Sequence, residues 1–256
     1  MSLRLISWLA ALGLAAATLA AYSAPRLIVL NKSDHTLAVV DPVTLKVLGK
    51  VPTGEGPHEA AITADGKFAV VANYGAMKPG NTLSVIDIDT LKEKERVDLG
   101  ALTRPHGIQW VKDKVYFTSE TTRSVARFDP ASSKIDWLMG TGASASHMLV
   151  VSADGRKLYT SNIASNNVTA IRLDGPANAQ GIAQIAVGAQ PEAIDISPDG
   201  REVWVGHNGD GGVSIIDAAT NAVSATMKVG SLPIRLKFSP DGKWVFVSDP
   251  RGGGAK

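Results

Sequence analysis

From residue 26 onward the chain runs in short stretches where apolar residues alternate with polar or small ones, as in Lys67-Phe68-Ala69-Val70-Val71 and Thr82-Leu83-Ser84-Val85-Ile86. An alternation of period two sends successive side chains to opposite faces of an extended chain, so these stretches predict β-strands. Two punctuation marks recur between them. The first is an Asp-Gly pair at Asp65-Gly66, Asp154-Gly155, Asp199-Gly200 and Asp241-Gly242, with Asp113-Lys114 in the gap between the first two. Glycine tolerates the positive φ of a tight connection, so Asp-Gly between alternating runs predicts a hairpin. The second mark reads V-[IV]-D-x-x-T: Val39-Val40-Asp41 with Thr44, Val85-Ile86-Asp87 with Thr90, Arg127-Phe128-Asp129 with Ser132, and Ile215-Ile216-Asp217 with Thr220. Ala170-Ile171-Arg172 is a degenerate copy.

The marks repeat every 41 to 48 residues or so, about the length of a propeller repeat. Each period contains a strand before the Asp-Gly turn, one after it, one ending at the second mark, and a more charged one such as residues 94–99. Four short strands per period predict an all-β fold, a β-propeller of four-stranded antiparallel blades. The run Lys92-Glu93-Lys94-Glu95-Arg96 falls on the fourth, outermost strand, where charge blocks edge-to-edge pairing. Residues 26–51 supply strands two to four of one blade, four complete blades follow, and residues 233–249 supply strands one and two of another. About five to six blades are therefore expected. A seven-bladed ring at this period takes roughly 300 residues, so the expectation is a fragment of such a ring, cut within its last blade and forming an open arc.

Residues 1–23 read differently. Arg4 precedes an apolar stretch, residues 5–19, and Ala21-Tyr22-Ser23 places small residues where a signal peptidase reads. The stretch is about 15 residues, short of the roughly 20 that a spanning helix needs. The expected organisation is a signal peptide over 1–23, cleaved after Ser23, and a propeller over 24–256, periplasmic or secreted, with no membrane span after processing.

Composition narrows the chemistry. The chain has 26 Lys and Arg against 24 Asp and Glu, a net charge of +2, which gives no pull toward nucleic acid. There is no cysteine, which removes disulfides, thiol nucleophiles, Cys-ligated zinc and iron–sulfur clusters. Aromatic residues, at 5%, are sparse for stacking carbohydrate or bases. P-loop, G-x-S-x-G and H-E-x-x-H motifs are absent.

The repeat resembles the YVTN-type bacterial β-propeller family, through Tyr159-Thr160-Ser161-Asn162 and, more loosely, Val115-Tyr116-Phe117-Thr118-Ser119. Pro57-His58, Ala72-Asn73-Tyr74-Gly75 and Arg104-Pro105-His106-Gly107 are similar to stretches of the lactonase-like seven-bladed propellers. The first resemblance implies a periplasmic or surface binding scaffold, often beside redox or export systems; it implies no single activity.

Counting from each turn aspartate gives candidate site residues. Position −7 holds His58, His147, Glu192 and Ile234, with His106 in the irregular blade. Position +8 holds Asn73, Asn162, His207 and Asp249, with Glu120 in the irregular blade and Asn31 in the first. In a two-residue hairpin these positions face each other at the end far from the turn, on the channel mouth. The expected pairs are His58 with Asn73, His106 with Glu120, His147 with Asn162, Glu192 with His207, and Arg235 with Asp249. Two readings follow. In one, His106, Glu120, Glu192 and His207 serve as acid–base groups of a lactonase-like hydrolase. In the other, His58, Asn73, His147, Asn162, Arg235 and Asp249 bind a protein or small ligand without catalysis, or simply cap neighbouring backbone. A third reading is an accessory protein of a periplasmic redox system. No cofactor and no metal are expected, because sheets pack about 10 Å apart while zinc ligands lie about 2 Å from one ion.

Overall fold

A computed structural model of the chain describes residues 24–175, 181–251 and 254–255; the expected signal peptide lies outside them. Among the described residues the strands form six antiparallel sheets, each built from consecutive strands. The first sheet has three strands, Leu27–Asn31, Thr36–Val40 and Val47–Pro52. The next four have four strands each, beginning at Pro57–Ile62, Pro105–Val111, Ser146–Val151 and Pro191–Ile196. The sixth comprises Arg235–Phe238, Val245–Asp249 and the short Gly254–Ala255. The β-propeller architecture expected from the repeat is thus the one observed, with one short strand added to the last sheet.

Both punctuation marks have local causes. At the Asp-Gly turns a hydroxyl two residues upstream binds the aspartate: Thr63 Oγ1 donates to Asp65 at 2.6 Å, as do Ser152 to Asp154, Ser197 to Asp199 and Ser239 to Asp241. The following glycine has positive φ, +72° at Gly66 and +72° at Gly200. The third sheet lacks this glycine and turns through Lys112 and Asp113, both left-handed, between Val111 and Lys114. The second mark joins strands three and four. Asp41 Oδ1 accepts the N–H groups of Val43 and Thr44, Asp87 those of Asp89 and Thr90, and Asp217 those of Ala219 and Thr220. These are Asx turns, in which the carboxylate supplies what a backbone carbonyl would otherwise supply.

Sheets pack face to face through five apolar clusters, one at each successive interface. Between the second and third sheets, for example, Val70, Leu83 and Val85 meet Phe117 and Phe128. Burying each phenyl contributes about 1.5–3 kcal/mol. In the four complete sheets the second and third strands are largely buried on both faces, whereas fourth strands are edges: Lys134–Gly140 alternates exposed and half-buried residues. The charged strand Lys92–Asp98 pairs only with its inner neighbour, as the edge reading requires. Successive first strands contact one another. They are therefore the innermost, and their ends facing away from the Asp-Gly turns surround the channel mouth. Trp244 and Phe246 on the sixth sheet, and Leu27 and Val29 on the first, remain exposed on the outward faces of the terminal sheets.

The Asx turns carry a pH dependence. Hydrogen bonds from Thr44, Thr90 and Thr220 N–H, each joined by a second backbone N–H, hold Asp41, Asp87 and Asp217 below their ordinary value of 3.8. A carboxylate with a depressed folded pKa stabilises the fold above the unfolded value, and that contribution is lost as pH falls through the folded one. The triple variant Asp41→Ala, Asp87→Ala, Asp217→Ala is expected to melt lower than wild type at neutral pH. Its melting temperature should also fall less steeply than wild type's between about pH 5 and about pH 2, as followed by circular dichroism.

Candidate functional site

Inside each complete sheet the ladder between strands one and two has the register expected from the turn, for instance Glu59 opposite Ala72 and Ile62 opposite Ala69. At the channel end it slips by one. Pro57, not His58, stands opposite Asn73; Pro105 stands opposite Ser119, Ser146 opposite Asn162, and Pro191 opposite His207. Each first strand carries one residue more than its partner there, a β-bulge. Proline lacks the N–H that a ladder needs, so it suits a position where the ladder breaks. The residue just before is left-handed in all four sheets: Gly56, Arg104, Ala145 and Gln190 have φ of +63°, +52°, +54° and +54°. Three of these are not glycine, a local strain tolerated only where surrounding structure fixes it.

The expected pairing of −7 with +8 is therefore corrected, and the two sets separate. The +8 residues stay within their own sheets. Asn73 donates to Thr82 and Ser84 hydroxyls at 3.0 and 2.9 Å and accepts from Gly54 N–H. Asn162 donates to Asn167 and Thr169. His207 is fully buried; its Nε2 accepts from Gly188 N–H, which leaves Nδ1 to donate to Asp210 at 3.2 Å. Asp249 accepts the N–H groups of Ser231, Leu232 and Arg251. These four hold connecting loops. Glu120 is not their equivalent, since Ser119 fills that place.

The bulge residues instead converge. His58, His106 and His147, from the second, third and fourth sheets, form a stack with ring centroids 4.1 and 3.7 Å apart. The expectation that successive sheets hold these groups too far apart to share one ion does not hold, because the bulges aim them inward. Gly107 permits the approach: a Cβ there would lie 2.7 Å from Leu149 N and 2.9 Å from the His147 carbonyl oxygen. Hydroxyls of the second-strand motif fix the neighbouring bulge. Thr118 donates to the His147 carbonyl at 2.6 Å, and Ser161 to that of Glu192 at 2.7 Å.

A second ring of side chains comes from the residue that follows each bulge partner on strand two, where Tyr74 N–H binds Gly56 C=O and Glu120 N–H binds Arg104 C=O. Ile163 and Asn208 occupy the same position in the next two sheets. With Glu59 and Arg235, one residue beyond the bulge position, these groups link into a circuit whose two ends, His58 and Tyr74, meet edge to face with ring centroids 5.4 Å apart. Tyr74 donates to Glu120 at 2.6 Å, Glu120 binds His147 Nδ1, and His147 Nε2 lies 3.6 Å from Glu192. Arg235 then bridges Glu192 at 3.1 Å and Glu59 at 2.6 Å, and Glu59 lies 3.7 Å from His58 Nδ1. Asn208 donates to the other Glu192 oxygen. Arg104 and Lys32 sit over the Tyr74 ring at 4.6 and 5.0 Å.

The pairs expected for a hydrolase do not form. Glu120 binds His147 instead of His106, and Glu192 meets His147, Arg235 and Asn208 instead of His207. Sequence reasoning missed Glu59, Tyr74, Lys32 and Asn208; prolines at 57, 105 and 191 were the available signal that the register slips. Burial works against charge at His147, but its contacts with Glu120 and Glu192 outweigh burial and raise its pKa above 6.5. Burial likewise opposes ionisation of Glu120, Glu192 and Glu59, and the hydrogen bonds and cations around them outweigh it, so all three lie low. Burial, then contact with Glu120, pushes the Tyr74 phenol up to about 12. His106 differs from all of these. It is fully buried, neither ring nitrogen has a hydrogen-bond partner among the described residues, and burial followed by the repulsion of His147 and His58 holds it neutral.

Comparison with known proteins supports the architecture. Solved structures similar to this chain include a functionally unknown protein from Desulfotomaculum acetoxidans DSM 771, at TM-score 0.72 and 14% identity over 90% of this chain and 77% of that one. The β-propeller domain of Myceliophteria thermophila Cps50 (Swd1) matches at 0.68 and 13%, over 79% and 64%. Kuenenia stuttgartiensis hydrazine synthase matches at 0.59 and 18%, over 90% and 91%. At these identities the likeness concerns the fold alone. No curated protein matches the chain. The family model described as "YNCE-like beta-propeller" matches residues 5–179, and with its repeats and six sheets on view, the chain belongs to the YNCE-like β-propeller family.

Proposed function

We propose that this protein is an exported propeller scaffold that binds a small ligand at its channel mouth, without hydrolysing it. One observation carries the binding reading: the unpaired imidazole of His106 at the centre of the polar circuit. A buried polar group without a partner costs about 1–3 kcal/mol. The three carboxylates around it, Glu59, Glu120 and Glu192, are each paired, whereas both of its nitrogens lack a partner; among the described residues Asn208 Oδ1 is the one other buried side-chain atom left so. A neutral imidazole offers one donor and one acceptor, and a ligand that meets them recovers what folding leaves unmet. The hydrolase reading lacks its acid–base pairs, and His147 is gripped by two carboxylates that favour its charged form and occupy its ring nitrogens. Export is supported by Arg4, the apolar stretch over 5–19 and the small residues Ala21 and Ser23. Among the described residues, no helix is long and apolar enough to cross a membrane.

Two measurements test this. His106→Leu keeps the volume and removes both unpaired nitrogens, so its urea denaturation midpoint should equal or exceed that of wild type. A loss of about 1–3 kcal/mol, the ordinary result of disturbing a structural core residue, would mean that His106 is scaffolding. Intact-mass measurement of the protein expressed with its leader in a Gram-negative host should give Ala24 as the first residue of the periplasmic form; retention of residues 1–23 on a soluble cytoplasmic product would remove the export reading.

A further inference from the structure

Three imidazoles and three carboxylates meet at the channel mouth, and among the described residues two overlapping trios place one donor atom each within 4.8 Å of the others. One trio is His106, Glu120 and His147; the other is His58, Glu59 and His106. We propose that His106, His147 and Glu120 bind a single divalent transition-metal ion of the zinc class. The inference deepens the reading of the mouth as a ligand site and rests on it.

Donor chemistry comes first. Two imidazole nitrogens and one carboxylate oxygen suit a borderline divalent cation and leave a fourth position open toward the mouth. Metal–nitrogen bonds of about 2.0–2.1 Å put tetrahedral donors about 3.3 Å apart, so the donors need only small side-chain rotations to close on one ion. His147 Nδ1 and Glu120 Oε1 are already in contact, and an ion would take the place of the proton they now share.

The surrounding groups are arranged as a metal site requires. Ligating carboxylates are commonly hydrogen-bonded on their free oxygen, and ligating histidines on their second nitrogen. Here Tyr74 holds Glu120 Oε2 at 2.6 Å, and Glu192 faces His147 Nε2 at 3.6 Å. His106 is the remaining donor, fully buried and otherwise without a partner. The other trio is less suited. Arg235 neutralises Glu59 at 2.6 Å, and the His58 and Glu59 side chains are 23% and 25% exposed, against 12% and 14% for His147 and Glu120.

The test uses the full protein, stripped by dialysis against a chelator and titrated with Co²⁺, then with Zn²⁺. Wild type should retain one equivalent of Co²⁺ through gel filtration, show visible d–d absorption bands, and lose them when Zn²⁺ is added. Glu120→Gln and His106→Leu should each weaken Co²⁺ binding by about tenfold or more, and Tyr74→Phe, which leaves all three ligands in place, by about tenfold. Glu93→Gln, on the outer edge of the second sheet, should bind as wild type does. Retention of Co²⁺ by the folded Glu120→Gln protein at wild-type strength overturns the proposal, as does loss of binding in Glu59→Gln but not in Glu120→Gln. Failure of folded wild type to hold either ion also overturns it. If His106→Leu is then still as stable as wild type, the ligand-site reading survives with a different occupant; if it is less stable, both fall.

Discussion

A proline cannot donate to a β-ladder, and at positions 57, 105 and 191 it stands where the pairing between the first two strands of a sheet slips by one residue. That slip is the constraint on which the channel mouth depends. In unbroken pairing, His58, His106, His147 and Glu192 would each face a residue of their own sheet. With one residue extra on the inner strand, the side chain after the proline or Ser146 loses its cross-strand neighbour and is free to point along the sheet radius. Imidazoles from three successive sheets then stack at the channel end with centroids within about 4 Å of one another.

Once these groups meet, charge decides the rest. Three buried or half-buried carboxylates in one small volume are tolerable only if each is paired, because an isolated buried charge is costly. Arg235 serves two of them from the sixth sheet and His147 serves two from the fourth, so Glu192 is held from both sides. A second imidazolium beside His147 would be repelled by it. His106 is accordingly the member that stays neutral, and its enclosure between two rings leaves its nitrogens no protein group to bind.

The sequence made the repeat, the four strands per unit and the Asx and Asp-Gly turns readable, since each rests on interactions within a few residues: Asp87 with Thr90, or Thr63 with Asp65. It also singled out His58, His106, His147, Glu192 and Glu120 as mouth residues. What it could not carry was their partners. Parity counted from a turn assumes an unbroken ladder, and a bulge changes parity without changing composition, so Asn73 and His207 counted as neighbours of His58 and Glu192 although they serve loops in their own sheets. Glu59, Tyr74, Lys32 and Asn208 were invisible for a related reason, because their place in the circuit depends on where the ladder ends. The prolines were the trace of the bulge.

A frame built this way separates stability from chemistry. The apolar clusters between sheets, the Asx turns and the Thr118 and Ser161 hydroxyls set the spacing and would do so with any residue at the bulge. The side chains at the bulge position are not among the groups that set this spacing. Structures at 13% to 18% identity share this architecture, which is what such a division allows. Within this chain the same division is visible between units: His58, His106, His147, Glu192 and Ile234 all sit at one structural position, and only the histidines stack. The side chains that meet at the channel mouth are therefore set by a few positions per repeat, read where the ladder breaks.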